Sequence, residues 1–315
     1  MRSRAIGLVL GFAADRVLGD PSRFHPVAGF GTVAGRLEQR MWADDRATGA
    51  GYTAVLVGGT AAAGIVADRA ATHPLARTLL TAATTWAVIG GRSLGREAGH
   101  VHAWLEAGNL PAAREQLTHL VGRDPSDLDA AEISRATVES VAENTSDAVV
   151  APLLAGAAGG IGGLVAYRAA NTLDAMVGHR SDRYRRFGWA SARLDDVLNL
   201  APARLSALLG AVLAPVVGGR TAAAFRAWTR DARRHPSPNA GPVEASFAGA
   251  LGVRLGGTNV YGTRVEHRPT LGDGRPPATA DIARSVRLAD AVGVGALVVS
   301  AVIAARPKRR QRPRP

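Results

Sequence analysis

Four short stretches concentrate residues able to do chemistry. In Glu139-Ser-Val-Ala-Glu143-Asn144-Thr-Ser-Asp147 the acids recur at i, i+4 and i+8. A helix puts them on one face over about 12 Å. Aligned carboxylates repel one another unless a cation sits among them, and Mg²⁺ accepts one or two carboxylates together with substrate phosphates. The second stretch, Arg168 to Tyr184, places Arg168, Asn171 and Asp174 at successive i+3 positions and continues through His179, Arg180 and Asp182. Oxygens for a cation beside guanidinium forks for phosphoryl oxygens are what a metal–phosphate complex requires. The same pattern also suits a local salt-bridge network. The third, Arg193-Leu-Asp195-Asp196-Val-Leu-Asn199, has adjacent acids that point apart on a helix and so do different jobs. A fourth stretch, Asp15 to Val27, carries Gly19-Asp20-Pro21 and His25-Pro26, which enforce a turn after an apolar helix.

Composition removes several classes of chemistry. The 315-residue chain has no cysteine, which excludes thiolate metal sites, disulfides and cysteine nucleophiles. Its one lysine, Lys308, lies in the terminal tail, so the body offers neither a Schiff base nor a P-loop lysine. Net charge is +12, almost all from arginine, but aromatics make up only 5% and are not interleaved with the arginines. Nucleic acid is therefore not the expected partner.

The elements that must position these residues read as helices. Apolar runs lie at Ile6–Leu18, Tyr52–Ala67, Leu75–Gly91, Ala148–Ala166, Val197–Gly219 and Ala291–Ala305. A hydrocarbon core needs about 20 helical residues, so most are marginal, and the mean hydropathy of +0.03 is low. Ala148–Ala166 has no charged residue and is rich in glycine, which favours close helix packing in lipid over a soluble helix with one wet face. The expectation is an all-α, multi-span helical integral membrane protein of about four to six spans, with polar amphipathic helices and loops at the membrane surface. It comprises one membrane domain, residues 1–305, and a basic disordered tail, 306–315. That tail reads as cytoplasmic in a multi-pass cell-membrane protein. Pro202 and Pro215 suggest that Val197–Gly219 dips into the membrane without crossing it. Trp104–Gln116 and Asp129–Glu143 read as helices, the second capped near Asp127 or Asp129; Arg233–Pro242 reads as a rigid loop and Gly256–Gly274 as irregular.

Taken in order, the four stretches resemble the CobD/CbiB family of cobalamin biosynthesis proteins, adenosylcobinamide-phosphate synthases. Pro238-Asn239-Ala-Gly241-Pro242, Gly256-Gly257-Thr-Asn259-Val-Tyr261-Gly262 and Asn199-Leu-Ala-Pro202-Ala-Arg204 add to the resemblance, which runs from about Gly7 to Ile303. His179-Arg180 departs from the tyrosine and basic residue common in that family, leaving the role of His179 open. The resemblance implies an integral membrane enzyme using ATP and Mg²⁺ to join the carboxylate of adenosylcobyric acid to aminopropanol O-phosphate. It also implies membrane lipid as surroundings and, as an expectation, a complex with other corrinoid-pathway enzymes. Glu139, Glu143, Asp147, Asn171 and Asp174 are the candidate metal ligands. Arg168, Arg180, Arg193, Asn239 and Asn259 are the candidate phosphate and nucleotide contacts. His25, His179 and Asp182 are the candidate catalytic groups, a histidine being the base for the incoming amine. Two other classes fit the residues: Asn171-x-x-Asp174 with the Asp195-Asp196 pair is also similar to Mg²⁺-dependent membrane prenyltransferases, and a corrinoid transporter or scaffold would carry polar residues inside its spans.

Overall fold

The computed structural model describes residues 2–20, 25–122, 124–179, 181–261 and 264–306, with the side chains of 258–266 outside the description. Local sequence accounts for several helix starts. α1 (Arg2–Leu18) is followed by α2 (Pro26–Met41) and α4 (Pro74–Val88), each opened by a His-Pro pair: the histidine Nδ1 accepts the N–H two residues on, and the proline takes the first turn. Between them, α3 (Arg46–Ala70) is capped by Asp45, whose carboxylate accepts Thr48 N–H at 2.7 Å. The stretch 104–116, expected as one helix, is split: α5 (Gly91–Glu106) ends before Gly108 turns left-handed, and Asn109 caps α6 (Leu110–Leu117). α7 (Ala130–Thr145) opens on a capping box of Asp129 and Glu132.

The apolar run after α7 is not a straight span. It continues through a π-helical turn (Ser146–Val150) into α8 (Ala151–Leu173), where Gly160 has φ 64° and ψ −146°. The chain reverses there. A Cβ on Gly156 would lie 2.9 Å from Leu164, and one on Gly163 would strike the Ala155 carbonyl. In a straight helix such i, i+8 pairs stand about 12 Å apart. Arg4 closes the turn by donating to the carbonyls of Ala157 and Ala158, the open C-terminal end of the first arm. The glycines read as packing positions thus make a helical hairpin, and only glycine adopts the backbone conformation of Gly160 without strain. The second arm ends in another π turn, Asp174–Gly178.

The remaining elements are α9 (Trp189–Leu198), α10 (Leu200–Val212), α11 (Thr221–Asp231), α12 (Ala240–Leu251), a hairpin of β1 (Leu255–Tyr261) and β2 (Arg264–Leu271), and α13 (Thr279–Ala305). The strands pair antiparallel from Leu255↔Leu271 to Val260↔Val265, where the sequence suggested irregular chain. Every residue of α12 is buried, and α7, α10, α11 and α13 pack around it. The segment 197–219 is interrupted at Asn199 and again at left-handed Gly218. Its longest helix, 13 residues, is about 20 Å long and falls short of a hydrocarbon core.

Three helical stretches among the described residues are long and apolar enough to cross a membrane: Arg46–Ala70, Ala130–Gly178 and Thr279–Ala305. This is fewer than the four to six expected, because α1 and α4 have only 17 and 15 residues, and the second stretch is the one folded back at Gly160. Exposed apolar side chains nonetheless form a belt, with Ile6, Val9 and Leu10 on α1, Val55, Ile65 and Val66 on α3, Leu75 and Leu79 on α4, and Val294, Val298 and Val302 on α13. Polar groups mark one end of this belt, where Arg4, Asp68 and Arg77 gather beside the Gly160 turn. At the other end Arg16 pairs with Asp290, and Asp15 accepts the N–H of Arg92. An apolar, wet-facing surface of this kind is suited to lipid.

Close approach between α3 and the start of α9 depends on Gly49, where a Cβ would run into the carbonyl of Phe187. Gly49→Ala is expected to destabilise the protein by about 3 kcal/mol. Gly51→Ala, two positions along with open space around it, should leave the melting temperature unchanged or slightly raised. Thermal unfolding of the two variants in one detergent checks this; equal melting temperatures would refute the packing role of Gly49.

Candidate functional site

The reversal at Gly160 lays the second arm of the hairpin beside the first, bringing together acids 27 positions apart in sequence. Asp147 on the first π turn faces the charges of Glu143, Asp195, Asp174 and Arg168. Asp174 on the second π turn faces Asp195, Asp196 and Glu143. Both π turns therefore sit at the cluster, in keeping with the frequent use of π turns at functional sites.

A buried amide network fixes the centre. Asp195 is 8% exposed. Its Oδ2 accepts Asn199 Nδ2 at 2.9 Å, and its Oδ1 accepts Asn171 Nδ2 at 3.4 Å. Asn199 in turn accepts the Tyr167 hydroxyl at 2.8 Å, and that hydroxyl also lies 3.0 Å from the Asp147 carbonyl. Arg168 donates to Asn171 Oδ1 at 3.4 Å, while its buried Nε has no hydrogen-bond partner among the described residues. Burial holds the Asp195 carboxyl above its ordinary range, against the lowering by its two amide donors.

An open recess of about 920 Å³ adjoins this centre. His179, Asp182, Tyr184, Arg193 and Asp196 line it. His179 is exposed and meets Tyr184 edge to face with centroids 4.9 Å apart. The Tyr184 hydroxyl donates to Glu38 at 2.8 Å, and Arg183 donates to the same carboxylate at 3.0 Å, so the ring beside His179 is fixed. Arg193 reaches within 3.7 Å of Asp196.

The expected site residues thus divide. Glu143, Asp147, Asn171, Asp174 and Arg168 come together, and His179, Asp182 and Arg193 share the adjoining recess. Glu139 is engaged otherwise: its Oε1 accepts Arg135 at 3.1 Å and the Gly256 N–H at 2.8 Å, anchoring the β-hairpin to α7. His25 caps α2, and Asp182 is fully exposed beside Arg185. Asn239 is buried and holds Arg204 at 2.9 Å and the Asp196 carbonyl at 2.8 Å. Arg180 lies outside the described residues, as does the side chain of Asn259. Tyr167, Asp195 and Asn199 complete the centre and were not among the expected ligands. Asp195 and Asn199 belong to the third stretch, whose adjacent acids were their signal; Tyr167 sits in an apolar run and gave none.

Among the described residues no three His, Asp or Glu side chains form a ready metal cage. The donor set nonetheless fits Mg²⁺, which takes few protein carboxylates and completes its shell with water and substrate phosphates. Carboxylates that face one another in this way are stabilised by such a cation.

Comparison with known proteins gives the same reading as the motifs. The family described as CobD/Cbib protein matches residues 8–289. A "Cobalamin biosynthesis protein CobD" of Mycobacterium tuberculosis is 50% identical over 304 residues, covering 96% of each chain. Proteins of the same name from Geobacter metallireducens and Rhodobacter capsulatus are 46% and 39% identical, covering 87% and 94% of this chain and 88% and 96% of their own. No solved structure matches. With a family match across most of its length and relatives of this identity and coverage, the chain belongs to the CobD/CbiB family.

Proposed function

We propose that the chain is an adenosylcobinamide-phosphate synthase, joining adenosylcobyric acid to (R)-1-aminopropan-2-ol O-phosphate in cobalamin biosynthesis. The observation that carries this reading is the acid–amide cluster of half-buried Asp147 and Asp174 with buried Asp195, beside a recess lined by His179 and Arg193. When bound, Mg²⁺ and ATP would supply the activation that a carboxylate needs before an amine can displace its oxygen. Glu143, Asp147, Asn171 and Asp174 would hold the cation. Arg168 and Arg193 would bind phosphate oxygens, for which guanidinium forks are suited. His179, oriented by Tyr184, would take the proton of the incoming ammonium.

This reading also orients the protein. α13 runs from Asp290, beside Arg16 at one end of α1, back along that helix, so its C-terminal end lies opposite the acidic cluster. Arg185 and Arg193 line the recess beside the cluster. Positive charge there and a nucleotide substrate both favour the cytoplasmic face for that end.

The test is incubation of detergent-solubilised protein with adenosylcobyric acid, aminopropanol phosphate, ATP and Mg²⁺, with mass spectrometry of the products. The amide is expected only when all four are present. A folded, lipid-supplied protein that makes no amide would overturn the ligation.

A further inference from the structure

On the far side of Asn239 from the acidic cluster lies a second open recess of about 620 Å³. Arg204, Trp228, Arg233, His235, Pro236 and Pro238 contribute to its walls, and among the described residues no carboxylate does. Glu244 is buried behind His235, 3.8 Å from its Nε2. Arg204 is held in place: its NH1 donates to the Leu200 carbonyl at 3.2 Å and to Asn239 Oδ1 at 2.9 Å. Among the described residues neither Arg204 nor Arg233 pairs with a carboxylate, although Arg230 and Arg234 close by both reach Asp231. Two guanidiniums without counter-charge, one of them fixed, at the mouth of a recess walled by an indole and prolines, suit a ligand that is anionic at one end and flat and apolar at the other. The same Asn239 that fixes Arg204 donates to the Asp196 carbonyl, so this recess abuts the acidic cluster.

We propose that this recess seats a nucleotide, with its base against Trp228 and the proline wall and its phosphates on Arg204 and Arg233. The proposal rests on the ATP-dependent reading above and adds a place for the nucleotide. Asn239 is then a positioning residue, holding the phosphate-binding arginine and the acidic helix α9 in one register.

The test is calorimetric titration of ATP and of inorganic pyrophosphate into the protein in neutral-lipid nanodiscs. Arg204→Gln/Arg233→Gln should weaken both ligands by about 30-fold or more, since each charge-assisted bond is worth about tenfold or better. Trp228→Leu should weaken ATP by about tenfold and leave pyrophosphate unchanged, as loss of base stacking predicts. Unchanged melting temperatures would exclude unfolding as the cause. ATP affinities within threefold of one another across all variants would overturn the proposal. If amide formation by the wild-type protein still required ATP, the ligation would stand. Loss of binding to anionic-lipid vesicles with ATP affinity retained would identify a lipid-headgroup site and also overturn it. Loss of ATP binding as expected, in a protein whose wild-type form makes no amide, would support the recess and remove the ligation.

Discussion

Replacing Asp195 with alanine is expected to lower the rate of amide formation by about a thousandfold, equivalent to about 4 kcal/mol of barrier. Asp195 accepts from Asn171 on one arm of the helical hairpin and from Asn199 on its own helix, and Asn199 holds Tyr167 against the first π turn. Truncation leaves the buried Asn199 amide and the half-buried Asn171 amide without an acceptor, each worth about 1–3 kcal/mol. It also removes one of the carboxylates facing Asp147 and Asp174. Asp195→Asn separates these contributions: it keeps the shape and one acceptor oxygen but loses the charge. If charge is what matters, the asparagine variant falls as far as alanine while its melting temperature stays near wild type. An alanine variant that turns over at more than a tenth of the wild-type rate would remove Asp195 from the centre.

The largest effect on stability is expected at Asp281, far from that centre. Its side chain is fully buried and accepts both Arg275 nitrogens at 2.6 and 3.0 Å, Arg284 at 2.7 Å and the Ala278 N–H at 2.8 Å. Arg284 also donates to the carbonyls of Val217 and Leu251, joining the start of α13 to the chain just before Gly218 and to the end of α12. Losing Asp281 strands the mostly buried Arg284, while the half-exposed Arg275 can turn to water, a loss of about 3–4 kcal/mol. Asp281→Ala should therefore fall well below wild type in thermal unfolding. The double variant Asp281→Leu/Arg284→Met, with no stranded charge at position 284, should recover part of the loss. A melting temperature for Asp281→Ala within a degree or two of wild type would show that the network adds nothing net.

The sequence displayed some of this and hid the rest for identifiable reasons. Helix starts were legible because caps are local: Asp129 with Glu132 acts within one turn. The acid runs were legible for the same reason, since Glu143 and Asp147 share a face by spacing alone. The pairing of Asp147 with Asp174 was not, because it depends on a reversal at Gly160, and one glycine among several in an apolar run has no distinguishing neighbour. Glu139 continued the spacing of the other acids, yet it serves the β-hairpin, a partner 117 positions away in the chain. That hairpin escaped notice because its glycines, Gly256 and Gly257, interrupt the alternation that marks a strand. Asn239 was legible as a polar residue in a proline-rich turn, but its work is to hold Arg204 and Asp196 in place.

The two π turns have a bearing on how this chain can change over time. A π turn closes one residue later than an α turn, so each holds one residue beyond helical phase. Deleting that residue would let the turn relax to α geometry and leave the helix on either side in its original phase. A one-residue excision within Ser146–Val150 would therefore keep the arm bearing Asn171 and Asp174 in register with Glu143, whereas the same excision in the regular turns of α7 or α8 would swing everything beyond it by about 100°. The two turns are thus the places where these helices can change length without losing register. Within the helices between Glu139 and Asp195, surviving deletions should fall at these two turns.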